Sequence, residues 1–486
     1  MMMKNKAALI ELAQSWAICN GFILKSQRGQ SFQSDPIPFT LTPTGINRKA
    51  YEKVVSIAPL LNTLVDRMSR DSTFINQSLE SVAKYDDFVK RLLDIYNETY
   101  ERNKNDYQLA VHRSDYMIHV DGKSGQEIPQ QVELNTVSSA FGALGATTHK
   151  LHSYLQQYRS WLVPEYPEQE LEPNNSLENI VNVMRQSHET FVQENPSNFG
   201  SMPYFMLFVV QDGERNVGDQ KPYEHLLLQK YGIFVLRRSM KELIGNVELV
   251  KDEKSNRQHL VIEKQYPVSV VYFRSGYTPD DFPTENEWEV RSVLETCTAI
   301  KCPTIGVQLV GTKKIQQIMF EDAVLQKYLT KEEAQSVKEA FTGIYSLEES
   351  ESLQYMREAF ENPDDYVLKP QREGGGNLVY GEKLKEYLDI ILHDKSHTEY
   401  ASIKYTYILM KKIKPQLHNK DIIRQGQVAG GECISELGIY GIYLGNGSQE
   451  LTNGSAGYLL RTKLAKFQDG GVASGVASMD SIYLRD

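Results

Sequence analysis

Cysteine is scarce in this 486-residue chain, with four in all: Cys19, Cys297, Cys302 and Cys433. Thiols so few and so scattered exclude a disulfide framework, and no pair has zinc-finger spacing. Such usage fits a reducing compartment. Positive charge is also in deficit, with 53 Lys and Arg against 63 Asp and Glu, a formal net charge of −10. Without a lysine/arginine block to displace counterions, nucleic acid is excluded as a main partner and an anionic membrane surface is disfavoured. Long apolar runs are missing too; nothing reaches the ~18 consecutive apolar residues of a membrane span. The stretch from Ala7 to Ile18 is interrupted by Glu11 and Gln14, and its apolar spacing is that of an amphipathic helix rather than a signal peptide. These absences together predict a cytosolic protein.

Several signatures are absent as well. Gly122-Lys123-Ser124 ends like a P-loop, but position 117 is Met and the segment precedes a strand, so a Walker-type site is rejected. No Gly-x-Gly-x-x-Gly opens a βαβ unit, and neither His-Glu-x-x-His nor Gly-x-Ser-x-Gly occurs. Dinucleotide-fold, zincin and serine-hydrolase chemistry are therefore unsupported.

What is present is ordinary globular composition, 41% hydrophobic and 24% charged, in a chain long enough for two or three domains. Residues 49 to 104 carry helical periodicity, predicting two or three packed scaffold helices. Residues 107 to 120 alternate towards strand, turn at 121 to 125, and return through 130 to 135. A Pro-, Glu- and Asn-rich linker is expected over 164 to 175, and then a helix over 177 to 192. A strand at 205–210, a helix at 222–231 and a strand at 233–236 form a βαβ unit, which favours a parallel sheet. A strand at 268–273 continues it. The apolar stretch before Lys313 reads as a further strand. Residues 313 to 362 are helix-rich, 365 to 413 read strand, glycine loop, strand, helix, strand, and the C-terminus is strand-rich. The fold class is α/β (α+β), divided as 1–202, 203–312 and 313–486.

Three groups of residues could carry chemistry. Between the apolar segments 366–368 and 378–380 lie Lys369, Pro370, Gln371, Arg372, Glu373, Gly374, Gly375, Gly376 and Asn377. Three consecutive glycines forfeit chain order, a cost that suits backbone approach to a phosphate; an ordinary glycine-rich hairpin is the other reading. Glu133 and Asn135 are two apart on an expected strand and emerge on one face. They are either two oxygen ligands for magnesium or the polar face of a half-exposed strand. Glu214, Arg215 and Asn216 follow one expected strand, and Arg274, Ser275, Gly276 and Tyr277 follow the next. Both sets sit at carboxyl ends of the sheet, where such folds bind ligands, and the arginines suit carboxylates.

In order along the chain, Arg113-Ser-Asp-Tyr-Met117, Glu133-Leu-Asn-Thr136, Glu214-Arg-Asn216, Tyr272-Phe-Arg274, Gln308-Leu-Val-Gly-Thr-Lys-Lys314, Val367 to Asn377, Cys433-Ile-Ser-Glu-Leu-Gly438, Leu460-Arg-Thr-Lys463 and Asp469-Gly-Gly-Val-Ala473 resemble the motifs of the eukaryotic-type glutathione synthetases. These enzymes are members of the ATP-grasp superfamily, and the resemblance runs from about Arg113 to Ala477. It implies an ATP-grasp architecture with a helical scaffold, a parallel-sheet substrate domain and a glycine-rich lid, for which the loops 374–376 and 470–471 are candidates. It implies ATP-dependent joining of γ-glutamylcysteine to glycine through an acyl phosphate in a homodimer. A sister ligase taking β-alanine and a non-catalytic nucleotide- or peptide-binding relative are the alternatives.

Carried over residue by residue, the resemblance makes Glu133, Asn135 and Glu373 magnesium ligands. ATP falls to Glu133, Lys313, Lys369, the loop Pro370 to Asn377, Tyr380, the stretch Met410, Lys411, Lys412 and Ile413, then Glu436, Lys463 and Asp469. The peptide falls to Arg113, Val137, Ser138, Ser139, Ala140, Glu214, Arg215, Asn216 and Gln220, then Arg274 to Tyr277, Arg461, Val472 and Ala473. Arg113, Arg461 and Glu373 take catalytic roles. The chain departs from the family pattern at Ser275 (Asp in the family), Leu378 (Asn), Ala140 (Ser) and Lys411 (Glu). At Ser275 a charge towards the substrate ammonium is lost.

Overall fold

The structure is a computed structural model that describes residues 2–26, 33–158, 170–196, 199, 202–252, 257–372, 377–467, 470–472 and 474–486. Thirteen strands among the described residues join into one mixed sheet organised on the long strand Gln108–Val120. Gln427–Gly445 runs antiparallel along one edge of it. The other edge is shared. At Gln108 it takes Ile300–Cys302 in parallel, and from Arg113 onward Glu127–Asn135 antiparallel. Beyond Ile300–Cys302 lie Tyr266–Phe273, Phe205–Val210 and Val235–Ser239, all parallel. Beyond Gln427–Gly445 lies Glu450–Leu464, antiparallel.

The parallel part follows from its residues. Phe205–Val210 is an unbroken apolar run, buried almost throughout, as expected of a strand covered on both faces. Its crossover helix Val217–Tyr231 ends where Gly232 turns to φ +70°, a left-handed C-terminal stop that glycine adopts without a Cβ penalty.

Three helices, Arg48–Ser69, Ser72–Ala83 and Asp87–Asn103, make the scaffold. Asn47, Asp71 and Asp86 start them, each side chain accepting a backbone N–H three residues on, which satisfies an orphan donor. Their apolar faces pack on one face of the antiparallel sheet, where Val54, Leu61 and Leu64 share a core with Tyr116, Leu134, Leu437 and Leu460. Strand alternation then turns Arg113, Asp115, Glu133, Asn135, Glu436, Arg461 and Lys463 to the opposite face.

A separate three-stranded antiparallel sheet has Tyr407–Lys411 between Ile344–Ser346 and Tyr366–Pro370. Helices Leu353–Glu361 and Gly381–His393 cover it through a core that includes Met356, Leu368, Leu384 and Leu409.

Two local expectations are corrected. The apolar stretch before Lys313 is a helix, Ile305–Val310, capped by Thr304 and buried throughout. Periodicity cannot separate a fully buried helix from a buried strand. Gly306 permits it, since a Cβ there would stand 2.8 Å from the Ser69 carbonyl oxygen. The second strand of the glycine hairpin shrinks to one bridge, Leu368 to Val379.

Candidate active site

Cross-strand registry builds the floor of the site. Glu133 lies opposite Asp115, Asn135 opposite Arg113, Asp115 opposite Gly438, and Glu436 opposite Arg461. Residues two apart on a strand share a face, so four neighbouring strands deliver their charged side chains together. The strand Glu127–Asn135 bulges at Val132, where Asp115/Tyr116 faces Glu133/Gln131. Bulges re-aim groups beside sites, and here the freed Val132 carbonyl accepts a hydrogen bond from Lys369 Nζ at 2.7 Å.

Lys369 comes from the smaller sheet, so this contact bridges the two halves of a cleft of about 160 Å³. Glu133, Lys313, Lys369, Glu436, Arg461 and Lys463 line it, with Met117, Val132, Leu378 and Ile434 as apolar wall and Gly470 and Gly471 at its border. Lys313 Nζ is 3.2 Å from Glu133 Oε2, and Arg461 pairs with Glu436. Burial alone would raise the Glu133 carboxyl, but Lys313, Lys369, Arg461 and Arg113 outweigh it and hold the group well below the usual carboxylate range. Burial raises Glu436, and the negative charges of Asp115 and Glu133 add to that against the opposing Arg461. One carboxylate stays firmly ionised while its neighbour takes up a proton more readily.

An adjoining slot of about 210 Å³ shares Met117, Val132, Lys369, Leu378 and Ile434 with the charged cleft. Val367, Tyr380, Met410, Lys411, Lys412 and Ile413 complete it on the side of the small sheet, with Phe467 opposite. An apolar slot that opens into a cluster of cations is shaped for a planar base carrying a polyphosphate.

Of the residues assigned to the peptide, Arg113 and Arg461 stand on the floor. Arg113 gives Nε and Nη2 to Asp115 at 2.7 and 2.8 Å and Nη1 to the Ala140 carbonyl. The loop after Asn135 is tightly held. Ser138 and Phe141 have φ of 52° and 72°, a left-handed conformation that non-glycine residues keep only when neighbours enforce it. Ser138 donates to the Phe273 carbonyl, Ser139 to the Asn135 carbonyl, and Tyr440 to the Ala140 carbonyl. Asp219, fully buried, accepts from the N–H groups of Phe141 and Ala143 and pairs with Arg274 at 3.3 Å. Glu214 accepts from the Asn216 N–H and from Gln220 Nε2. The Gly276 carbonyl accepts from Gln308, and the Gly276 and Tyr277 N–H groups donate to Asp281. Ser275 is buried beside them.

Other assigned residues face elsewhere. Arg215 Nε donates to the Lys25 carbonyl, and the side chains of Val137 and Val472 sit in hydrophobic cores. Gln371 accepts the Lys314 N–H, and Arg372, at the cleft wall, pairs with Asp86. Glu373, Gly374, Gly375, Gly376, Asp469 and Ala473 lie outside the described residues. Sequence reasoning missed Asp115 and Asp219. Asp115 was within reach, being two residues from Arg113 on one strand, whereas nothing local marks Asp219.

For a divalent cation, Glu133 and Asn135 offer two hard oxygen donors on one face, and the Glu133 carboxylate is ionised. Asn135 Nδ2 is committed to Asp115 and Glu133, which leaves its oxygen as the acceptor. Among the described residues no three His, Cys, Asp or Glu side chains could hold a metal together. The set therefore fits an ion that takes further oxygens from a phosphate or water, as Mg²⁺ does.

An apolar slot and a cationic cleft thus lie together between a small antiparallel sheet and a large mixed one. The sequence model of the family described as "Eukaryotic glutathione synthase, ATP binding domain" matches residues 3–484. The chain belongs to that family. It is 38% identical over 450 residues to a tomato protein named chloroplastic glutathione synthetase, spanning 92% of this chain and 77% of that one. It is 36% identical over 484 residues to the glutathione synthetase of Xenopus laevis, spanning 98% and 96%. Among solved structures, a glutathione synthetase-like effector of Globodera pallida superposes with a TM-score of 0.74 over 98% of this chain and 96% of that one, at 19% identity. It shares the fold.

Proposed function

We propose that the protein is an ATP-dependent ligase that joins γ-glutamylcysteine to glycine. The observation that carries this reading is the convergence of Lys313, Lys369, Lys463 and Arg461 around Glu133 in one cleft that continues into an apolar slot. Membership of the glutathione synthase family over nearly the whole chain supports it.

A carboxylate is a poor electrophile, so it must first be activated. An oxygen of the cysteinyl carboxylate attacks the γ-phosphorus of ATP, the bond to the β-phosphate oxygen breaks, and ADP leaves. The glycine amine then attacks the acyl carbon, the C–O bond to phosphate breaks, and the amine gives up a proton. No protein nucleophile is required. The work is positioning and charge neutralisation. Lys313, Lys369 and Lys463 hold the polyphosphate, Arg113 and Arg461 hold the reacting carboxylate, and Met410 to Ile413 hold the base. Glu133 and Asn135, joined by Glu373, would hold Mg²⁺, which supplies neutralisation of phosphate charge. Gly470 and Gly471, at the border of the cleft, are placed to cover the acyl phosphate and keep water out.

The reading extends to a cytosolic homodimer. No described helix is long and apolar enough to cross a membrane, and the four cysteines are unpaired. Sedimentation of the free protein reads the dimer. The activity is tested by ADP release from purified protein with ATP, Mg²⁺, γ-glutamylcysteine and glycine, and with β-alanine in place of glycine. Release that needs both the peptide and glycine is expected. Preference for β-alanine would reassign the acceptor, and ATP binding without turnover would overturn the reading.

A further inference from the structure

Asp115 is fully buried and is not part of the cleft wall, yet it contacts Arg461 of that wall together with Arg113 and Asn135 on the same sheet face. Its Oδ1 accepts from Arg113 Nε at 2.7 Å. Its Oδ2 accepts from Arg113 Nη2 at 2.8 Å, Asn135 Nδ2 at 3.0 Å and Arg461 Nη2 at 3.0 Å. The Arg113 pair is bidentate, the geometry that fixes a guanidinium plane. With the Ala140 carbonyl included, Arg113 commits three of its five donors. The remaining two donors lie in a plane that the Asp115 pair fixes.

The sheet leaves room for this arrangement at a single point. Gly438 faces Asp115 in register, and a Cβ there would stand 2.6 Å from Asp115 Oδ1 and 2.8 Å from Arg113 Cδ. The strand Gln427–Gly445 thus gives up a side chain where the buried carboxylate needs space. Two like-charged guanidiniums share this carboxylate. Were it neutral, Arg113 and Arg461 would repel each other with less compensation, and Asn135 would lose an acceptor.

We infer that Asp115 is a positioning residue that sets the two arginines for the substrate carboxylate, with Gly438 as the space it requires. This rests on the proposed ligase reading for the identity of the substrate. Lys369 reaches the cleft from the small sheet and Lys313 from the helix Lys313–Ile318, so the nucleotide they are proposed to hold should respond differently from the peptide to loss of Asp115.

The test is calorimetric binding of γ-glutamylcysteine, in the presence of a non-hydrolysable ATP analogue and Mg²⁺, and of the analogue by itself without Mg²⁺ (so that the Asn135 contact does not enter), to the parent protein and to Asp115→Asn. Loss of one partner of a buried charge pair predicts that the peptide dissociation constant rises at least about 30-fold while nucleotide affinity stays within about threefold. If both affinities fall by the same factor, Asp115 is structural and the inference fails. It also fails if neither changes. Should Asp115→Asn not fold, Gly438→Ala crowds the same carboxylate without removing charge, and the same selective loss of peptide affinity is expected. Unchanged peptide affinity there overturns the inference. Turnover of the parent with glycine is read separately. A parent that binds the peptide but releases no ADP would defeat the ligase reading while the binding comparison still decides the role of Asp115.

Discussion

Lys369 and Val132 join the two halves of the cleft, with the lysine Nζ 2.7 Å from the carbonyl that a β-bulge releases. The lysine belongs to the small sheet and the carbonyl to the large one. A group placed there can hold a phosphate and also set the width of the base slot, since both residues line both compartments. Lys369→Met keeps most of the side chain's bulk and removes the charge. We expect it to weaken MgATP binding about 10- to 100-fold, measured by calorimetry. Affinity within twofold of the parent would remove Lys369 from the phosphate set.

Glu133 is ionised because four cations surround it. Glu133→Gln retains the shape and loses the charge. The Mg²⁺ concentration for half-maximal activity should rise at least about tenfold. An unchanged Mg²⁺ requirement would take Glu133 out of the metal site.

Asp86 has two jobs that substitution can separate. Its side chain caps the helix Asp87–Asn103 and pairs with Arg372 on the cleft wall. Asp86→Asn keeps a capping oxygen and loses the ion pair, so the KM for ATP should rise with little change in melting temperature. Asp86→Ala loses both and should also cost about 1 kcal/mol of stability in denaturant titration. Equal behaviour of the two variants would show that the ion pair does not act on the nucleotide site.

His152 is buried between the Thr40 carbonyl and the Ser481 hydroxyl. A carbonyl only accepts, so Nε2 carries the proton and Nδ1 accepts from Ser481. Burial pushes the imidazole down to about 4, against partial opposition from Asp480 and the Thr40 bond. Between pH 6.5 and 4 the unfolded chain then binds a proton that the folded one refuses, so stability rises with pH across that window. The contribution is full above 6.5 and is lost on acidification, up to about 3 kcal/mol. Urea titrations at steps between pH 7 and 4 should show this slope, and His152→Gln should flatten it. A slope unchanged in the variant would assign the acid sensitivity elsewhere.

The sequence made parts of this arrangement legible for definite reasons. Strand 108–120 and its return show alternation because one face meets an apolar core and the other carries the charged floor of the site. The βαβ unit showed because its first strand, Phe205–Val210, is a continuous apolar run, although its second, Val235–Ser239, carries Arg237 and Arg238 and begins two residues later than the apolar segment 233–236 suggests. Glu133 and Asn135 could be placed on one face by their spacing, but a polar strand face towards solvent and one towards a cleft read the same in one dimension. What separates them is Lys313, 180 residues away in sequence, and the opposing Lys369. Arg215 shows the converse: it follows an apolar strand as a ligand residue should, yet its side chain is turned to the Lys25 carbonyl. Asp115 stayed hidden inside a motif already noticed, because its role lies in what it holds and not in what it shows to the cleft.

Phosphorylation of a peptide carboxylate in this cleft is read by isotope transfer. γ-Glutamylcysteine labelled with ¹⁸O in its cysteinyl carboxylate is incubated with the protein, ATP, Mg²⁺ and glycine, and the released phosphate is analysed by mass spectrometry. ADP, the tripeptide, and phosphate carrying one ¹⁸O atom from the carboxylate are expected. Tripeptide formed together with phosphate free of the label would contradict it.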